Sequence, residues 1–161
     1  MKIRPAQRAD VPTLGKLGAM MVQMHHDLDP QRFIAPRPGT EQGYGGYLGS
    51  QLDQKDSVVL VAEEDGKVLG YAFGHVDDYD YPSLRGPAGI VEDILVDPAH
   101  RGRGIGKQLL DALLAELTKR GVPRVVLSTA ERNGVAQKLF EKAGFRRTMI
   151  EMTRESPLRS G

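Results

Sequence analysis

A chain of 161 residues is expected to form one domain, 1–161, large enough to bury a core without disulfide or metal staples. It has no cysteine and a net charge of +1, which excludes disulfides, thiolate metal sites and an acyl-cysteine intermediate, and argues against general nucleic-acid binding, since that calls for a clearly basic domain. The opening MKIRPAQRAD lacks the apolar region of a secretory signal and no stretch reaches the roughly eighteen apolar residues of a membrane span, so the expectation is a soluble, cytoplasmic protein with no membrane partner.

In chain order, 2–4 predicts a short edge strand. Asp10 reads as a helix N-cap with Pro12 in the first turn, and Val11, Leu14, Leu17, Met21 and Met24 follow at helical spacing, predicting a helix that ends near Asp27. Residues 30–38 read as loop. Residues 40–53 have helical apolar spacing but carry Gly43, Gly45, Gly46 and Gly49, each costly inside a helix, which predicts a mobile segment. The apolar run 58–62, the turn Asp65-Gly66 and the run 68–76 predict an antiparallel hairpin. After the turn-rich DDYDYPSLRGP, 90–96 is apolar enough for a central strand. A long helix follows with Ile105, Leu109, Leu110, Leu113, Leu114 and Leu117 on one face and a stop at Gly121 and Pro123. Residues 124–128 predict a strand, 133–143 a helix closed by Gly144, and 145–153 a last strand. The fold class is therefore mixed α+β, with a βαβα unit at its centre.

The most informative stretch is IVEDILVDPAHRGRGIGKQLLDALL, in which a strand runs through a glycine-rich turn into the long helix. Such a turn leaves backbone N–H groups unpaired at the positive end of the helix dipole, where phosphate oxygens bind well. Gly102, Gly104 and Gly106 permit close backbone approach, and Arg101, Arg103 and Lys107 add full positive charge. Two common phosphate motifs fail. A P-loop needs glycine five places before its Gly-Lys pair, where this chain has Arg101, and Ser or Thr after it, where it has Gln108. The dinucleotide fingerprint needs a third glycine where Lys107 or Leu109 stands. Charge is distributed unevenly, with 9 Lys/Arg and 15 Asp/Glu in 1–100 against 13 and 6 in 101–161. A basic half suits a polyanion and an acidic half a cation, although charge distribution alone is described more simply by solvated faces.

The run Arg101-Gly102-Arg103-Gly104-Ile105-Gly106 resembles the acyl-CoA signature [Q/R]-x-x-G-x-[G/A] of the GNAT acetyltransferases. VDPAHRG resembles that family's approach to the loop, and ERNGVAQKLFEKAGF its second cofactor motif. The resemblance implies a GNAT-like, mostly antiparallel sheet with helices around the central unit, and acetyl-CoA as the acyl donor. It implies that the backbone of Ile94, Leu95 and Val96 pairs with the pantetheine arm in a cleft beside the next strand, and that Arg101 to Lys107 (Ile105 among them) cradle the pyrophosphate. Asn133 is implied as a further pantetheine contact, and it reads equally well as a plain N-cap. Phe140 falls where the family has a tyrosine that protonates the departing thiolate, so either another group serves, the thiolate leaves unassisted, or the protein binds acyl-CoA as a non-catalytic sensor.

Acetylating an amine requires a neutral amine, and deprotonating an alkyl ammonium at pH 7 costs about 4.6 kcal/mol. Glu92 and Asp93, charged positions in an otherwise apolar strand, are the candidate bases. VEDILV resembles the polyamine acetyltransferases, which favours Glu92; the alternative for each carboxylate is a salt bridge to a nearby arginine. The acceptor side implied by the resemblance holds His25, His26, Asp27, Asp29, Arg32 and Phe33, then Tyr44 and Tyr47, then Asp77, Asp78, Asp80 and Tyr81. The adjacent histidines lack the i, i+4 spacing of a helical metal site, so no metal is expected. The acidic cluster leans toward a cationic amine, either a small molecule or a lysine side chain of a peptide. A homodimer is an assembly left open.

Overall fold

The computed structural model describes residues 1–157. The elements run β1 (Lys2–Pro5), α1 (Val11–Leu28), α2 (Thr40–Gln51), β2 (Ser57–Glu64), β3 (Lys67–Asp77), β4 (Ala88–Val96), α3 (Ile105–Lys119), β5 (Val125–Leu127) and α4 (Gly134–Lys142). The strands form one sheet in the order β1-β2-β3-β4-β5, antiparallel except for the last pair. The parallel pair is joined through α3, as a parallel connection requires. Among the described residues no helix is long and apolar enough to cross a membrane.

The sheet is buried on both faces, which explains why β2 reads as a continuous apolar run rather than an alternating one. Val58, Leu60 and Ala62 face α3, where Ile105, Leu109, Leu113 and Leu117 are fully buried. Val59 and Val61 face α1 and α2 and pack with Leu14, Leu17, Leu48, Tyr71 and Phe73. The hairpin turn has Asp65 and Gly66 both at positive φ, 50° and 75°, the backbone twist that a two-residue turn needs.

The glycines of α2 have a different cause from the looseness that composition predicts. The helix is continuous, and Gly45 and Gly49 lie on its buried side against α1. A Cβ on Gly15 of α1 would come within 2.4 Å of the Glu41 carbonyl oxygen, and one on Gly45 within 3.1 Å of the Val11 carbonyl oxygen. The two backbones cross at a distance that only small residues permit. Asp10 also departs from expectation. It occupies the N-cap position of α1 but makes no side-chain cap; its carboxylate accepts from Arg4 at 2.7 and 3.0 Å and from the Gln7 amide at 2.7 Å. It thereby ties β1 to the start of α1.

The strand predicted over 145–153 is absent. The described tail is irregular, with Met149, Ile150 and Met152 at least 77% exposed. β5 has only three residues to offer an edge, and side-chain contacts hold the tail in another direction. Arg147 donates to Gln137 of α4 at 2.8 Å, and Arg32 in the α1–α2 loop donates to Glu151 at 2.9 Å.

Candidate active site

The centre of the site is a bulge in β4. Phe73 pairs with Asp93 and Gly74 with Val91, so Glu92 is the extra residue, opposite nothing on β3. A bulge of this kind breaks the alternation of side chains. Val91 packs toward α3, while both Glu92 and Asp93 serve the α1/α2 face. Pairing with β5 stops at the same place. It covers only Gly89 to Val91, leaving the β5-facing edge of Ile94, Leu95 and Val96 without a strand partner.

The two carboxylates have different surroundings. Asp93 is 9% exposed, and one of its oxygens accepts from the Tyr44 hydroxyl at 2.6 Å and the Tyr71 hydroxyl at 3.0 Å. Burial pushes its carboxyl above the ordinary range, only partly opposed by the two phenols. Burial and the neighbouring Asp93 charge push Tyr44 and Tyr71 well up, so both stay protonated as donors. Glu92 has a side chain 41% exposed, with one oxygen 3.5 Å from His75 Nδ1. The arginine salt bridges weighed for these carboxylates do not form; their partners are tyrosines and a histidine.

At the end of β4 the chain passes through Arg101 in extended conformation, then Gly102 and Gly104 at φ of 78° and 74°, into α3. Buried Ile105 anchors this turn in the core. The first helical bond runs from the Gln108 amide to the Gly104 carbonyl, and Gly104 offers no side-chain cap. The amides of Ile105, Gly106 and Lys107 therefore precede the helical ladder, the arrangement that receives anionic oxygens. Of the cations, Arg103 pairs with Glu64 at 2.8 Å and Lys107 with Asp111, both on exposed side chains, while Arg101 leans on Met24 of α1. Asn133 is the N-cap of α4, accepting from the Ala136 amide at 3.1 Å. Phe140 is half-buried and meets Phe145 edge-on at 6.1 Å.

The residues expected on the acceptor side divide into two groups. His25 and Tyr44 share a small apolar cavity of about 160 Å³ with Met21, Phe33 and Ile34. His25 and His26 direct Nδ1 to separate carbonyls, those of Met21 at 2.9 Å and Phe33 at 3.0 Å, rather than to a common centre. Asp77 ends β3 and Asp78 begins the β3–β4 loop; Arg85 engages Asp77 at 2.7 Å and lies 3.7 Å from Asp80, offsetting charge that composition assigns to a cationic ligand. Tyr81 is 81% exposed on that loop.

Two residues of the site were not expected from the sequence, Tyr71 and His75. Tyr71 and His75 stand four places apart along one face of β3 with Phe73 midway between them, and the polar signal was His75 inside LGYAFGHV. Tyr47, expected on the acceptor wall, stands beside His75. With Gln51, Asp56, Ser57, Phe73 and His75 it lines an open cavity of about 470 Å³.

A strand split from its parallel neighbour at a bulge, running into a glycine turn that opens a helix, is the arrangement of an acyl-CoA-binding acetyltransferase fold. A family model described as the Acetyltransferase (GNAT) family matches residues 21–145, most of the chain, and the chain belongs to that family. It is 30% identical over 149 residues to the uncharacterized N-acetyltransferase YhfO of Bacillus subtilis, covering 90% of this chain and 89% of that protein. It is 34% identical over 99 residues to a mycothiol acetyltransferase of Thermomonospora curvata; the match takes in 62% of this chain and only 31% of the length of that relative. Among solved structures, aminoglycoside N-acetyltransferase AAC(6')-Iy in complex with CoA shares the fold, with a TM-score of 0.71 at 22% identity over 98% of this chain and 95% of that one.

Proposed function

We propose that the chain is a single acetyl-CoA-dependent N-acetyltransferase domain that acts on a primary amine, of a small molecule or a lysine side chain, by direct attack of the amine on the thioester. The observation that carries this reading is the coincidence of the β4 bulge, the end of β5 pairing and the uncapped start of α3. The open β4 edge at Ile94 to Val96 suits an amide-bearing arm, and the amides of Ile105 to Lys107, with Arg101 and Arg103, suit a pyrophosphate. Acetyl-CoA supplies the activated carbonyl. The chain supplies the proton acceptor, and accessibility favours Glu92 over Asp93, whose buried oxygen already accepts hydrogen bonds from two phenols. Relatives named mycothiol acetyltransferase and L-methionine sulfoximine/L-methionine sulfone acetyltransferase support a small-molecule acceptor.

Phe140 favours a second reading, that of an acyl-CoA sensor, because it has no proton for a leaving thiolate. Turnover separates the two. With a panel of amines and acetyl-CoA, thiol release should follow acceptor concentration, and Glu92→Gln should lower kcat by about 10²–10⁴-fold while leaving CoA binding intact. CoA binding without acceptor-dependent thiol release would assign the sensor role.

A further inference from the structure

Acylation removes two protons from the acceptor ammonium and Glu92 can hold only one, so the first must leave that carboxylate within the same turnover. Once an amine covers the exposed side of that carboxylate, another route to water is needed. His75 stands at the required place: Nδ1 is 3.5 Å from Glu92 Oε1, its ring lies beside Phe73, and its side chain, 30% exposed, lines the cavity of about 470 Å³. The groups around it are Glu92 from β4, Tyr47 from α2, Lys55 and Asp56 ahead of β2, and Asp77 further along β3. In water an imidazole titrates near 6.5 and a carboxyl near 4.3, so an imidazole is the closer match for holding a proton taken from an amine near neutral pH.

We propose that His75 is the partner of Glu92 in proton removal, receiving on Nδ1 the proton that Glu92 takes from the acceptor ammonium and releasing a proton from Nε2 into the Tyr47–Phe73 cavity. The inference rests on the transfer reading above. In the balanced step the N–H bond of the ammonium breaks and Glu92 carries that proton to neutral His75. The free amine then forms the C–N bond, and the C–S bond breaks as the thiolate leaves. The second amine proton departs by the same route, and the thiolate takes a proton from water. His75 acts through Glu92 and is a positioning and relay residue rather than a group that touches the amine.

The test uses the full chain with an acceptor from the panel. His75→Ala should lower kcat at least about tenfold with CoA binding and melting temperature unchanged, and added imidazole, which the open cavity admits, should restore activity in a saturable way. His75→Gln keeps a polar side chain beside Glu92 but cannot carry a proton, so it should lose as much. Full kcat in His75→Gln, or a loss in His75→Ala that imidazole does not restore, overturns the relay while leaving the transfer reading intact. The pairing itself is read from a double-variant cycle: Glu92→Gln combined with His75→Gln should cost no more in kcat than Glu92→Gln alone, and additive losses overturn the pairing. No acceptor-dependent turnover by the unaltered chain removes the transfer reading, and the relay with it.

Discussion

Two buried carboxylates in this chain respond to pH in opposite ways. Asp10 sits beside the Arg4 guanidinium, whose hydrogen bonds outweigh burial and hold its carboxyl below the ordinary range. It contributes stability that is fully present above the unfolded carboxyl value near 3.9 and is lost as pH falls through its lower folded value. Asp93 is raised by burial despite its two phenols, so the folded state holds its proton longer than the unfolded chain does. Its contribution is present below about 3.9 and is lost as pH rises through the higher folded value. Urea unfolding of Asp10→Asn should show a deficit of about 1–3 kcal/mol at pH 7 that shrinks toward pH 3. Asp93→Asn should gain on the native chain over the same rise in pH, because the variant has no carboxylate to desolvate. A difference curve for Asp93→Asn that is flat with pH would mean that the tyrosines fully offset the burial. Neither role is legible in the residues alone. Asp10 looks like a helix cap and Asp93 like a second base, and the partners that decide otherwise lie six residues away on another element for Asp10, and on α2 and β3 for Asp93.

At the scale of elements, the α1–α2 pair shows how one residue type takes opposite roles. Gly15 meets the Glu41 carbonyl across the helix crossing, whereas Gly43 on the outer side of α2 has nothing within 4 Å of where a Cβ would stand. Gly43→Ala should stabilise the chain by about 0.5–1 kcal/mol through helix propensity. The same change at Gly15 should destabilise by about 1–3 kcal/mol, since backbone must move. Equal effects at the two sites, measured by thermal unfolding, would remove the close crossing as the reason for these glycines. Periodicity made the existence of both helices plain, but the reason for their glycines depends on which helix lies opposite. The last strand failed for a related reason. A mixed segment such as 145–153, with Arg146, Arg147 and Glu151 among its apolar residues, becomes a strand only where an edge of matching length is offered, and β5 presents three residues.

For the whole molecule, the proposed donor site is a linkage between binding and stability. At a CoA concentration a hundredfold above Kd, the melting temperature should rise by about 5–10 °C. Replacing Arg101 and Lys107 by alanine together should remove much of that rise. These side chains are a cleaner probe than Gly104, whose φ of 74° makes any larger residue strained before a ligand is considered. A full shift in the double variant would place CoA elsewhere, and an equal shift with ATP would point to a nucleotide-binding module.

The sequence by itself determined the order of elements from β1 to α4, the two-residue hairpin turn, the apolar face of α3 and the glycine turn before it. Each of these is written in neighbouring residues, as a repeat of 2 or 3.6 positions or as a backbone angle that few residue types adopt. Tertiary structure alone decided that Glu92 and Asp93 share a face, that one is buried between Tyr44 and Tyr71 while the other reaches His75, and that β4 parts from β5 at that point. A bulge is a property of two strands in register rather than of either one. Strict alternation along VEDILV would have set Glu92 and Asp93 on opposite faces of the sheet, and only the pairing of Phe73 with Asp93 and of Gly74 with Val91 brings the two carboxylates to one side.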